Sequence, residues 1–249
     1  MQFVTLKHAK VSLVGCKGVS VFDDVLDFND TKHLGGEIDL ELSFSNEGLL
    51  LIWNRAGDSS YKYHLDFVRL AGQLRSFPAA KQSGFNQALG KKTKSVIDAT
   101  GGFGGDAMLM CMQGYAVTVI ERLPLLAGFL DEAFNRLQQS NWAIDNQVTT
   151  PKVICGEAEQ LLPDLQGRAD CVYFDPMFPP KKKKNAATNK HMQLLQWLAG
   201  ADQDAAKVAG IAREYFPRLA VKRPDYAAPL LDKPSVQFSS KLVHYDVYV

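Results

Sequence analysis

Four glycines in five positions, Gly101-Gly102-Phe103-Gly104-Gly105, stand between the short apolar run Val96-Ile97-Asp98 and a stretch from Asp106 to Gln113 that reads as a helix. Glycines in such a turn take backbone conformations closed to other residues, and they let a ligand approach the main chain at the positive end of a helix. A strand, a glycine turn and a helix in this order imply an open α/β sheet, whose ligands bind beyond the carboxyl ends of the strands.

The chain after Ser95 keeps that rhythm. AVTVIE reads as a strand ending at Glu121, Pro124 to about Gln139 as an amphipathic helix, and Lys152–Cys155 and Cys171–Phe174 as further strands. Helical sequence follows between about Asn189 and Tyr215, and Arg218–Lys222 resumes the sheet. VQFSSKL and VHYDVYV have no helix signal between them, so they predict an antiparallel pair closing one edge of an otherwise mostly parallel, doubly wound sheet. Up to about residue 68 the pattern is β instead: FVTLKHAKVSLVG, GVSVFDDVL, GEIDLELSF and GLLLIWN predict four or five short antiparallel strands. Between the two regions lies a basic connector with broken helices and a break at Phe77-Pro78. The expected organisation is a small β-rich domain over 1–68, the connector over 69–94 and an α/β domain over 95–249.

With 249 residues, 46% of them hydrophobic and 22% charged, the chain can bury a full core and has no mark of disorder. The net charge of +1 means that a polyanionic partner has to be met by a local basic patch. Cys16, Cys111, Cys155 and Cys171 lie far apart with no CxxC pair, which fits free thiols in a reducing cytosol. The N-terminal stretch lacks the apolar core of a signal peptide, and no run is long enough to span a bilayer, so a soluble cytoplasmic protein is expected. None of the five histidines pairs at metal-ligand spacing, and no metal is expected.

Gly101, Gly102, Gly104 and Gly105 predict a nucleoside-containing cofactor. Gly102 to Ala107 also satisfies the G-x-G-x-x-A pattern of dinucleotide enzymes, but the acids flanking the turn decide against that reading. Asp98 before the turn and Asp106 at the helix start would repel a pyrophosphate, and they suit the ammonium and sulfonium of S-adenosylmethionine. Glu121, 20 residues after Gly101, stands where a carboxylate can accept both ribose hydroxyls. Glu157, after the third strand, adds an acid that could accept from an adenine amine.

Cys171–Phe174 runs straight into Asp175-Pro176-Met177-Phe178-Pro179-Pro180. An exocyclic amine on a nucleobase is a poor nucleophile because its lone pair is delocalised, so a site that methylates it must orient it. Asp175 and the Pro176 carbonyl can each accept a hydrogen bond from such an amine, and Phe178 can stack on the base. Lys181, Lys182, Lys183 and Lys184 follow directly, and Lys222, Arg223 and Tyr226 end the next strand on the same sheet edge; all seven are candidate RNA contacts.

DATGGFGGDA, VIER, YFDPMFPPKKK and VKRPDYAAPL, in this order and spacing, resemble the bacterial 16S ribosomal RNA guanine-N2 methyltransferases of the small subunit, the RsmJ family. The resemblance covers about residues 96–230. It implies a Rossmann-like class I methyltransferase sheet and transfer of one methyl group from S-adenosylmethionine to the exocyclic amine of a guanosine in 16S ribosomal RNA. It also implies cofactor contacts at Gly105 and Asp106, Glu121 and Arg122, Glu157 and Ala158, and Asp175. The chain departs from the family at Gly105, where arginine is common, at Glu157-Ala158, where a serine pair is common, and at RSFPAAKQSG, where a glycine-rich basic stretch is common. Rival readings are a methyltransferase of DNA adenine or protein glutamine, which share Asp-Pro or Asn-Pro-Pro loops, a nonenzymatic RNA-binding protein, and a nicotinamide oxidoreductase.

Overall fold

The computed structural model describes residues 2–6, 9–14, 40–45, 48–54, 60–80, 84–177, 190–199 and 202–249. Strands β1 (Gln2–Leu6), β2 (Ala9–Val14), β3 (Leu40–Ser45), β4 (Gly48–Trp53) and β5 (Tyr61–His64) form one sheet in that order. β1 and β2 are a hairpin folded from the single run FVTLKHAKVSLVG, whereas GVSVFDDVL lies outside the described residues. The expectation of a wholly antiparallel sheet is corrected at one pairing, because β2 and β3 run parallel. Residues 15–39 intervene between them, long enough for the crossover a parallel pair requires.

The connector carries two short helices, α1 (Phe67–Gly72) and α2 (Phe85–Leu89). Asp66 caps α1, accepting from the Arg69 N–H at 3.0 Å. Beyond it come β6 (Ser95–Asp98), α3 (Gly105–Met112), β7 (Ala116–Glu121), α4 (Pro124–Gln138), α5 (Asn141–Asp145), β8 (Lys152–Cys155), α6 (Ala158–Asp164) and β9 (Cys171–Phe174). The remaining elements are α7 (Lys190–Ala199), α8 (Ala205–Tyr215), β10 (Leu219–Pro224), β11 (Val236–Ser239) and β12 (Val243–Tyr248). The larger sheet has the order β11-β12-β10-β9-β6-β7-β8, with β12 antiparallel to both neighbours and the pairings from β10 to β8 all parallel. This is the doubly wound sheet with an antiparallel C-terminal edge that the sequence predicts.

β9 shows how the sheet is held. Its four residues are all buried, and successive side chains point to opposite faces: Cys171 and Tyr173 join one core, Val172 and Phe174 the other. A strand covered on both sides reads as an unbroken apolar run, as CVYF does. On the first face α4 enters with Pro124 in its first turn, where a fixed φ and a missing N–H cost nothing. It buries Leu126, Phe129, Leu130, Ala133, Phe134 and Leu137 at helical spacing. On the second face α8 does the same with Ala205, Val208, Ala209 and Ala212.

The N-terminal sheet shares the first core. Leu42, Leu49, Leu51 and Trp53 pack in one cluster with Phe67 of α1 and with α4, where the Phe67 and Phe134 rings stack at 4.7 Å. Arg136 of α4 donates to the Leu65 carbonyl at 2.6 Å and pairs with Glu132 at 3.1 Å. The small sheet is thereby fixed beside the glycine turn. Cys111 and Cys171 are buried free thiols, Cys155 is exposed, and Cys16 lies outside the described residues.

Candidate active site

The carboxyl ends of β6, β7, β8, β9 and β10 open onto one cleft of about 1250 Å3. Asp98, Gly101, Gly102, Gly104, Gly105, Asp106, Glu121, Arg122, Glu157, Ala158, Asp175, Pro176, Lys222 and Tyr226 all line it. The volume exceeds the usual range of a small-molecule pocket, on the order of 300–1,000 Å3. It leaves room for more than one ligand group.

The glycine turn is built by close packing. Gly102 and Gly104 have φ of 52° and 71°, in the left-handed region, and a Cβ at Gly104 would meet Leu130 at 2.5 Å and Phe67 at 3.1 Å. Gly105 differs, since a Cβ there meets nothing within 4 Å, so this position faces open space. The turn is tied to β7 through Glu121: its Oε2 accepts the Gly102 N–H at 2.7 Å and its Oε1 accepts the Leu123 N–H at 2.8 Å. Glu121 is only 7% exposed, and burial pushes its carboxyl up to about 7 despite the two N–H donors and Arg122.

Asp98 ends β6 at 2% exposure, and its Oδ1 accepts from the Thr100 N–H at 3.0 Å and hydroxyl at 3.3 Å. Burial pushes its carboxyl up to about 7, with further repulsion from Asp106 and Asp175. Asp175 follows β9, its N–H donating to the Thr100 hydroxyl oxygen at 2.8 Å. Burial pushes this carboxyl up to about 6, with Lys222 pulling the other way and Asp106 adding repulsion. The cleft thus gathers acids that burial makes reluctant to ionise. A cation entering among them is drawn to their ionised form and favours it.

Lys222 and Arg223, read from the sequence as RNA contacts, have partners within the protein. Instead of facing outward to phosphates, the Lys222 ammonium sits 2.8 Å from Asp106 Oδ2 and 2.9 Å from Asp175 Oδ2. Arg223 is buried, donating from Nε and one terminal nitrogen to the Ala228 carbonyl at 3.0 and 2.7 Å. Tyr226 is exposed on the cleft wall. Phe178, Lys181, Lys182, Lys183 and Lys184 lie outside the described residues.

Three contributors were not singled out from the sequence. Thr100 ties Asp98 to the Asp175 backbone, as described. Tyr173, buried in β9, donates its hydroxyl to Asp106 Oδ2 at 2.6 Å. Asp202 takes Arg122 on Oδ1 at 2.6 Å and the Met177 N–H on Oδ2 at 2.6 Å. Arg122 also reaches Asp204 at 3.4 Å and Glu157 at 4.0 Å, so it gathers three loops beside Glu121. The Asp-Pro context announced Asp175, but a lone acid in a loop between helices gives no such signal.

These residues fit S-adenosylmethionine. The carboxylate of Glu121 is fixed against the glycine turn, where it suits a ribose, the acids Asp98, Asp106 and Asp175 suit a positive charge, and Ile120, Ala158, Phe174 and Val208 give an apolar lining for a base. Among the described residues no group of histidine, cysteine or acidic side chains is arranged to hold a metal. No described helix is long and apolar enough to cross a membrane.

Fold and cleft together define an S-adenosylmethionine-dependent methyltransferase, and residues 31–249 match the SAM-dependent methyltransferase family model. The chain is 39% identical over 190 residues to ribosomal RNA small subunit methyltransferase J of Hydrogenovibrio crunogenus, covering 74% of this chain and 68% of that one. It is 34% identical over 223 residues to the protein of the same name from Shewanella sediminis, covering 86% and 84%. The crystal structure of the SAM-dependent methyltransferase NGO1261 from Neisseria gonorrhoeae shares the fold, with a TM-score of 0.66 at 23% identity over 96% of this chain and 95% of that one. The chain belongs to the ribosomal RNA small subunit methyltransferase J family.

Proposed function

We propose that the protein transfers a methyl group from S-adenosylmethionine to the N2 amine of a guanosine in 16S ribosomal RNA of the small subunit, acting in the cytoplasm. The observation that carries this reading is the Asp175-Pro176 pair, set at the carboxyl end of β9 in the same cleft as the glycine turn and Glu121. The relatives are ribosomal RNA small subunit methyltransferases, which suggests the substrate class, and the sequence resemblance supplies the guanine amine.

Bound cofactor would supply an electrophilic methyl group on a sulfonium, whose neutral thioether is a good leaving group without a metal. Glu121 would accept from the ribose, Arg122, Glu157 and Ala158 would frame the base, and Asp98 and Asp106 with the glycine turn would hold the amino acid end. Asp175 and the Pro176 carbonyl would accept from the two N–H bonds of the acceptor amine, turning its lone pair toward the cleft. Phe178 would stack on the guanine, and Lys181 to Lys184 with Tyr226 would meet the RNA backbone and neighbouring bases. In this reading residues 95–249 carry the chemistry, while 1–68 and the connector 69–94 position the RNA.

Incubation with tritiated cofactor and undermethylated small-subunit RNA tests the proposal. Label in N2-methylguanosine is the expected result. Label in DNA or protein instead, or none in guanosine, overturns it.

A further inference from the structure

Lys222 stands out because a lysine in the second half of a strand ordinarily reaches for solvent, and this one does not. Its ammonium bridges Asp106 Oδ2 at 2.8 Å and Asp175 Oδ2 at 2.9 Å. The two acids come from different parts of the chain: Asp106 opens α3 at the glycine turn, and Asp175 leaves β9 at the acceptor side. Asp106 Oδ2 is further held by the Tyr173 hydroxyl at 2.6 Å. The bridge engages Asp175 through Oδ2, and Asp175 lines the cleft.

Resting on the methyltransferase reading above, we propose that Lys222 is a positioning residue: by gripping Oδ2 it fixes the Asp175 carboxylate in its ionised form, with Oδ1 presented to the acceptor amine, and through Asp106 it ties that orientation to the cofactor loop. The surroundings make a cation necessary here. Asp175 faces Asp106 from α3, Asp98 from β6, Asp202 from the loop before α8, and the phenols of Tyr173 and Tyr245 from β9 and β12; among the described residues, Lys222 from β10 is the cation that pairs with it. Without it, burial and three neighbouring carboxylates all favour the protonated acid. A protonated Asp175 has lost the acceptor strength that orienting an amine requires.

The test uses the full chain with undermethylated small-subunit RNA, comparing wild type with Lys222→Gln, Lys222→Met and Lys222→Arg. Turnover in the Gln and Met variants is expected to fall about 100-fold. The acidic limb of their pH–rate profile should move upward by about one pH unit or more, because the charge that favours ionised Asp175 has gone. Arg should restore the limb, while S-adenosylmethionine affinity by calorimetry changes less than tenfold in all three. Gln keeps a polar donor and guards against a Met variant that does not fold. Wild-type turnover in Gln, or a loss with an unmoved limb and no rescue by Arg, overturns the role of Lys222. An inactive wild type overturns the methyltransferase reading instead.

Discussion

Asp202 accepts the Met177 N–H at 2.6 Å, two residues beyond Asp175, although 25 positions separate the partners in sequence. The other oxygen of Asp202 holds Arg122, next to Glu121. One carboxylate thus anchors the loop after β9 to the end of β7. Replacing Asp202 by alanine leaves the Met177 N–H without its partner, a loss of about 1–3 kcal/mol. Turnover should fall by about tenfold or more, while cofactor affinity, read by calorimetry, falls less. Equal losses in both would show that Asp202 serves the cofactor alone.

Glu121→Ala removes the acceptor for the Gly102 and Leu123 N–H groups along with the proposed ribose contact. The expected cost in cofactor binding is about 2 kcal/mol, or a Kd raised roughly 30-fold. Titration calorimetry measures it directly. An unchanged Kd would take Glu121 out of the cofactor site.

Asp98 and Glu121 titrate near 7 when folded, well above the ordinary range of near 4 for exposed carboxyls. Between those values the folded protein keeps protons that the unfolded chain has released, so stability falls as pH rises through this window. The cofactor-free protein should melt several degrees higher at about pH 5.5 than at about pH 7.5. Cationic cofactor favours the ionised acids, so its affinity should run the opposite way and strengthen with rising pH. Thermal melts with and without cofactor across that range check both signs; a cofactor-free Tm that rises with pH would contradict the burial of these charges.

Gly104→Ala places a methyl group within 2.5 Å of Leu130 at a φ of 71°. Strain and overpacking together should cost about 2–4 kcal/mol. Gly105→Ala, in open space, should melt within a degree or two of wild type. Near-equal Tm values for the two variants would refute the packing described for the turn.

The larger sheet was legible because its strands are short apolar runs ending in acids. CVYF, buried on both faces, and AVTVIE, ending at Glu121, carry their burial in their composition. The antiparallel edge was legible from the missing helix between β11 and β12. The parallel pairing of β2 and β3 was not, because local alternation is the same in either direction and only the path of the chain decides. α5 was missed because its five residues are too few to establish a helical period. In the cleft, the acids Glu121 and Asp175 were legible from their places at strand ends, whereas the pairing of Lys222 was not. A lysine after an apolar run reads as a surface charge until two acids from other elements are brought beside it. Asp202 is the same lesson reversed, an ordinary loop acid whose partners are distant in sequence.

The placement of β12 bears on the order in which the molecule can be completed during synthesis. This strand follows every other element in the chain, yet it lies between β10 and β11, with Val247 and Tyr248 at 0% and 1% exposure. Until residues 243–248 emerge, β10 is paired on one side only and β11 has no neighbour. The strand that bears Lys222 therefore gains its second neighbour only when β12 emerges, well after a growing chain can assemble its glycine turn.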